Sequence, residues 1–409
     1  MTSSNSNPGA NRPAPGTGDP VESDQSRAGR AFDRRSFLKA ASIGATATLA
    51  GCLGGNAGTN ATTTERSTET STRTTEEETT TEQPDTITVT DYYGREVTVS
   101  YPVESMATLN PHVYWAVKVL GVEDTLVAAT GGEMEAYPTL AEAPDVGWYR
   151  DPNVEKIAEL SPDVLITHWR GPKPEAELAK LQDKLSAFDT AVVGIEIAGM
   201  ELENMKLLAK LYGKEGELDP FFEWREEKLS LVEEKVADIP DDEKQTVFFE
   251  SDSDMWTAKH DLPISVAGGN NVMTQFASEE EMQRRREVPV GQEKIMTVDP
   301  DFILLEDTPG PPRVTGYAAA DDGPAESYFQ EFLDRPGVDE LSAVQNDRVH
   351  VVDYKLLSAE KSWLGALYLG KLFYPDRFSD VDPAAVHEEY YTKWIGSDYQ
   401  GTYLYPSLE

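Results

Sequence analysis

The chain of 409 residues is poor in several chemistries at once. It has one cysteine, Cys52, which excludes an internal disulfide framework and any multi-cysteine zinc or iron–sulfur site. Basic residues are scarce, 36 Lys and Arg against 73 Asp and Glu, and a formal charge of −37 excludes a nucleic-acid binder that neutralises phosphates with a basic face. No Gly-x-Ser-x-Gly elbow, Gly-x-Gly-x-x-Gly turn or Walker loop occurs. An exported α/β hydrolase, the enzymatic alternative, would want such an elbow, and no catalysis is expected. With 39% hydrophobic residues the chain can still build cores, and its length allows two or three domains.

Asp33 to Lys39 reads DRRSFLK, with Arg34 and Arg35 paired ahead of the short apolar stretch Ala40 to Ala50. That stretch is too short to span a bilayer, which needs about 20 apolar residues. The string resembles a twin-arginine export signal, and the following Leu49-Ala50-Gly51-Cys52 resembles a lipoprotein processing box, with Cys52 as the lipidated first residue of the mature protein. A single acyl chain holds a protein only marginally, so two or more are expected. Asn56 to Asp85 is dominated by Thr, Glu and Ser and offers nothing to offset its ordering entropy, so it reads as a solvated tether.

From Ile87 a different pattern begins. Two alternating runs flank Tyr92-Tyr93-Gly94-Arg95 as a hairpin, and short apolar strands (Met106 to Leu109, Leu126 to Ala129, Val164 to Thr167, Ala191 to Ile195) then alternate with amphipathic helices. Pro220 to Ile239 carries Phe221, Phe222, Leu229, Val232 and Val236 at helical spacing. Beyond Pro240 the alternation resumes at Thr246 to Glu250, Phe302 to Leu305 and Val349 to Val352. The expected fold is α/β: two Rossmann-like lobes joined by a single long helix, with a ligand cleft between lobes where strand carboxyl ends meet. The division reads 1–51 signal with extension, 52–85 lipidated cysteine and tether, 86–218 first lobe, 219–240 connecting helix and 241–409 second lobe.

Met106 to Gly121, Val146 to Ile166 (VGWYRDPNVEKIAELSPDVLI), Val247 to Val272 and Val290 to Leu305 (VGQEKIMTVDPDFILL) together resemble the solute-binding proteins that serve ABC importers of ferric siderophores, haem and cobalamin, in family order from about Ile87 to Tyr391. The two Glu-helix-Pro-Asp-strand segments also match each other. The resemblance implies capture of a ferric or cobalt chelate outside the cell, no resident cofactor, a monomer, and delivery to a permease coupled to an ATPase. By position Glu155 and Glu293 match the exposed acids, one per lobe, that dock into arginines of the permease; capping or plain solvation explains each of them equally well.

Loops after strands should hold the ligand. Candidate contacts are Asn110, His112, Tyr114, Tyr137, Trp148, Tyr149, Arg150, His168, Trp169 and Arg170 in the first lobe, and Trp256, Lys259, Tyr354 and Trp363 in the second. Aromatic faces suit a corrin, a porphyrin or a catecholate, and Arg150, Arg170, Lys259 and Arg313 suit an anionic ferric chelate. A zinc or manganese ion is the alternative, which His112, His168 and His260 with a cleft Asp would bind.

The charge itself carries information about solvent. Only 4 of the 73 acidic but 6 of the 36 basic residues precede Cys52, so the mature chain keeps 69 and 30, a formal charge of −39. Spread over tether and lobes, this reads as adaptation to concentrated salt, as in a halophilic archaeon, where screening lengths fall to about 3 Å.

Overall fold

The computed structural model describes residues 86–130, 140, 142–169, 171–195, 203–251, 256–259, 262–278, 281–282, 287–307, 313–358 and 361–408. Cys52, Arg34 and Arg35, and with them the signal and tether, lie outside the described residues, as do Tyr137, Arg170 and His260. Among the described residues no helix is long and apolar enough to cross a membrane.

β1 (Thr86–Thr90) and β2 (Glu96–Ser100) form the expected antiparallel hairpin. Its tip is fastened to the first lobe: Asp91 accepts from the Gly194 amide at 3.1 Å, and Arg95 donates to the Val192 carbonyl at 2.8 Å. The first sheet is wholly parallel. It comprises β3 (Met106–Thr108), β4 (Leu126–Ala129), β7 (Val164–Thr167) and β8 (Ala191–Gly194) in the order β4-β3-β7-β8. A two-rung ribbon of β5 (Gly147–Trp148) and β6 (Asp151–Pro152) stands apart from it. Strands such as Val-Leu-Ile-Thr at β7 are buried throughout, as helices on both faces of a parallel sheet require.

The second sheet has seven strands: β9 (Thr246–Glu250), β10 (Thr257–Lys259), β11 (Asn270–Asn271), β12 (Glu287–Pro289), β13 (Phe302–Glu306), β14 (Val349–Val352) and β15 (Leu404–Tyr405). The parallel centre β9-β13-β14 was expected; the antiparallel additions β10, β12 and β15 were not, so the second sheet is mixed rather than a copy of the first. These additions are only two or three residues long, below the length at which alternation can be read.

Likeness between the lobes is exact at one device. Each Glu-led helix (Val154–Leu160, Gln292–Val298) closes on a left-handed residue, Ser161 at φ 44° or Asp299 at φ 47°, whose amide bonds back to Ile157 or Ile295. The Pro-Asp that follows then clamps the neighbouring strand. Asp163 accepts from the amides of Glu104 and Ser105 at 2.9 Å, and Asp301 accepts from the amide and hydroxyl of Thr246 at 2.7 Å. In return the Ser105 and Thr246 hydroxyls accept the Asp163 and Asp301 amides at 3.0 Å. Asp301→Ala strands these donors and should destabilise the protein by about 1–3 kcal/mol in urea unfolding; Asp163→Ala should behave alike.

Asp219–Val236 is the long helix between the lobes, with Pro220 in its first turn and Phe221, Trp224, Arg225, Leu229, Val232 and Val236 forming its buried stripe. Phe221 and Trp224 draw both lobes onto one aromatic joint. Trp115 of the first lobe lies 5.4 Å from Phe221, while Trp363 and Trp394 of the second lie 5.1 and 5.7 Å from Trp224.

His387 is fully buried among tyrosines, its ring 4.2 Å from Tyr403 and its Nδ1 3.2 Å from the Tyr368 hydroxyl. Burial, followed by the Lys361 charge, holds its pKa well below 6.5. A histidine depressed in the folded state takes up protons on unfolding, so its contribution is present above 6.5 and lost as pH falls below that value. The melting temperature should therefore drop on mild acidification, and more shallowly in His387→Phe.

Candidate functional site

Parallel sheets bind ligands outside their strand carboxyl ends, and there the first lobe gathers five of the expected side chains. The ribbon Gly147–Pro152 carries Trp148, Tyr149 and Arg150; the end of β7 carries His168 and Trp169. Tyr149 packs at 4.2 Å from the His168 ring and edge-on at 5.8 Å from Trp169, and Trp148 packs edge-on at 4.6 Å from Tyr149. Arg150 covers Tyr149 at 5.3 Å and Trp148 at 5.9 Å. Trp169 is held from behind by the hairpin tip, its amide donating to the Tyr93 hydroxyl at 2.7 Å.

Trp148 is half exposed, at 50%, although large apolar side chains normally withdraw from water. The ribbon that offers it has no counterpart in the other lobe. Val146-Gly147 and Val290-Gly291 correspond, each glycine at φ +82° or +81°, yet Gly291 leads directly into Gln292 whereas six residues, Trp148 to Asn153, intervene before Val154.

Other expected contacts are reassigned. Asn110 is buried; its Oδ1 caps the turn at Pro111–Val113 by accepting the His112 amide at 3.0 Å, and its Nδ2 donates to the Ile195 carbonyl at 2.9 Å. Tyr114 is fully buried and donates to the Thr130 carbonyl, joining the ends of β3 and β4. Trp363 belongs to the aromatic joint at 2% exposure. These three are buried and offer a ligand no surface. His112 is half-buried beside the Asn110 cap.

In the second lobe Trp256 is partly buried, stacks on Phe248 at 6.2 Å and adopts φ +60°, a left-handed backbone that costs a bulky residue about 1–3 kcal/mol. Its carbonyl accepts the amides of Val290 and Gly291 at 3.0 and 3.1 Å, which fixes it there. Tyr354 is half-buried beneath the Arg313 guanidinium, 4.6 Å away. Lys259 is buried, and its ammonium is bonded to Glu306.

Sequence reasoning missed the buried ion pairs at this end of the sheet. Arg335 donates to both oxygens of Glu250 at 2.7 and 2.8 Å, and Lys361 to Asp353 at 3.1 Å. Partners 85 residues apart, as Arg335 and Glu250 are, leave no local signal. Asp307, fully buried, accepts the Val314 amide at 3.1 Å, and burial pushes its pKa up to about 6. Glu155 and Glu293 are both exposed, in the first turns of the matched helices. Among the described residues no three His, Cys, Asp or Glu side chains converge as metal ligands.

An uncharacterized ABC transporter substrate-binding lipoprotein, YvrC, of Bacillus subtilis strain 168 is 23% identical over 298 residues, 72% of this chain and 87% of that one. The iron-uptake system-binding protein of the same bacterium is 23% identical over 210 residues, 51% of this chain and 61% of its own. Among solved structures, the TroA-like periplasmic binding protein FepB from Veillonella parvula superposes with a TM-score of 0.63 at 22% identity, over 78% of this chain and 99% of that one, a likeness of fold. The pattern of the periplasmic binding protein family matches residues 106–356, from the first strand of the first sheet to the Tyr354–Ser358 helix beyond β14. The chain is a binding protein rather than an enzyme, and it belongs to the periplasmic binding protein family.

Proposed function

We propose that this protein is the lipid-anchored, extracytoplasmic substrate-binding component of an ABC importer, and that it captures a ferric siderophore or cobalamin-like chelate between its lobes. The aromatic ribbon carries the reading. Trp148 stands half in solvent at the strand carboxyl ends, edge-on to the buried Tyr149, with Arg150 over both rings and His168 and Trp169 packed against Tyr149, an apolar surface suited to a chelate and oversized for a bare ion. The names of the two Bacillus relatives support the transporter and iron assignments. Export through the twin-arginine route, attachment at Cys52, permease docking through Glu155 and Glu293, and a salt-adapted surface complete the proposal.

Because, among the described residues, a long helix and an aromatic joint tie the lobes together, closure on ligand is small. The test is quenching of tryptophan fluorescence in the full chain purified without lipid, titrated with a ferric hydroxamate, a ferric catecholate, haem, cyanocobalamin and Zn²⁺. Saturable quenching by at least one chelate is expected. A response to Zn²⁺ alone would overturn the reading.

A further inference from the structure

The carboxyl ends of three adjacent parallel strands in the second lobe each present a buried carboxylate: Glu250 ends β9, Glu306 ends β13 and Asp353 follows β14. Every one of them holds a cation. One Arg335 nitrogen, Nη1, donates to both Glu250 oxygens, Lys259 bonds Glu306, and Lys361 bonds Asp353 at 3.1 Å. The same cations rest on aromatic faces, Arg335 at 4.8 Å from Phe332 and 5.5 Å from Trp256, Lys259 at 5.7 Å from Phe249, and Lys361 at 4.3 Å from Tyr403. A fourth carboxylate, Asp307, stands beside them at the end of β13, its amide bonded to the Val352 carbonyl at 3.1 Å.

A cation already bonded to a buried carboxylate is not available to an anionic ligand. Moving the bond to an incoming anion leaves the carboxylate without counter-charge in a medium of low dielectric, and that penalty cancels the new attraction. Asp307 adds negative charge without adding a cation. Of the remaining candidates among the described residues, Arg150 lies over the Trp148 and Tyr149 rings and Arg313 over Tyr354, so each guanidinium already has a partner face.

We propose that the cleft accepts an electroneutral or cationic metal chelate and discriminates against polyanionic ones, the second lobe's buried acids acting as the specificity device. The inference rests on the chelate-binding reading above and narrows it by charge. It also reverses the expectation that Lys259 and Arg313 recruit an anion.

Calorimetric titration of the full chain without lipid, at fixed high KCl and neutral pH, compares an uncharged ferric tris-hydroxamate and cyanocobalamin with a trianionic ferric tris-catecholate. At least one uncharged chelate should bind about ten-fold or more tightly than the catecholate. Equal or tighter catecholate binding overturns the inference while leaving the chelate reading intact, whereas no binding by any of them overturns the reading and the inference with it. A gain-of-function variant gives the second readout. Glu306→Gln releases Lys259 and should raise catecholate affinity by about ten-fold, a change that misfolding cannot imitate; Glu250→Gln, releasing Arg335, should do the same. Variants that melt cooperatively and show no gain contradict the assignment.

Discussion

Lys361→Met is expected to destabilise the fold by about 3–5 kcal/mol, the largest loss of any single substitution considered. Lys361 and Asp353 are 2% and 1% exposed at the side chain, so the carboxylate left behind has no water to turn to. Lys361 also lies over Tyr403 and within 3.5 Å of the Tyr391 hydroxyl, and its removal loosens the tyrosine cage that encloses His387. The measurement is the urea midpoint of the variant against the parent. Replacing both members, Lys361→Met with Asp353→Leu, should recover most of the loss, because two well-packed apolar side chains remove the desolvation cost together with the attraction. A single-variant loss under about 1 kcal/mol would mean that the pair behaves as a surface ion pair.

The second large effect concerns transport. Glu155 and Glu293 are exposed, stand in the first turns of matching helices, and are followed in both lobes by the same Pro-Asp clamp. Nothing in the local packing requires an acid at either place beyond a contribution of about 0.3–1 kcal/mol from the helix dipole. The double reversal Glu155→Lys and Glu293→Lys should therefore leave chelate affinity and melting temperature near those of the parent while abolishing whole-cell uptake, since a permease with arginines at both contacts would be repelled twice. Either single reversal should impair uptake less. Uptake unchanged in the double variant would reject docking through these residues.

Much of the framework was legible in the sequence because it rests on local rules. Largely apolar runs such as Val164–Thr167 and Phe302–Glu306 mark central parallel strands, whereas the clamp at Asp163, 58 residues from Ser105, leaves no local mark. Pro220 and the stripe beginning at Phe221 announced the helix between the lobes. What escaped was tertiary. The strand Thr257–Lys259 and the edge strand Glu287–Pro289 are too short to show a period, and the first is held between the second and β9.

Within the site, loop position alone ranked Trp148 and Trp363 alike. Packing separates them, one standing half in solvent on a ribbon and the other at 2% exposure in the interlobe joint. Charges were likewise visible but their partners were not. The partner of Lys259 is Glu306, 47 residues away in sequence.

The central claim, that the aromatic ribbon of the first lobe holds a chelate, is tested most directly by calorimetric titration of Trp148→Ala beside the parent with whichever chelate the parent binds. Trp148 is 50% exposed, so its removal should leave the melting temperature nearly unchanged. Loss of a stacking aromatic at a binding hot spot costs about 2 kcal/mol, which predicts one-to-one binding weakened by roughly thirty-fold. Affinity equal to that of the parent would place the ligand elsewhere and contradict the account.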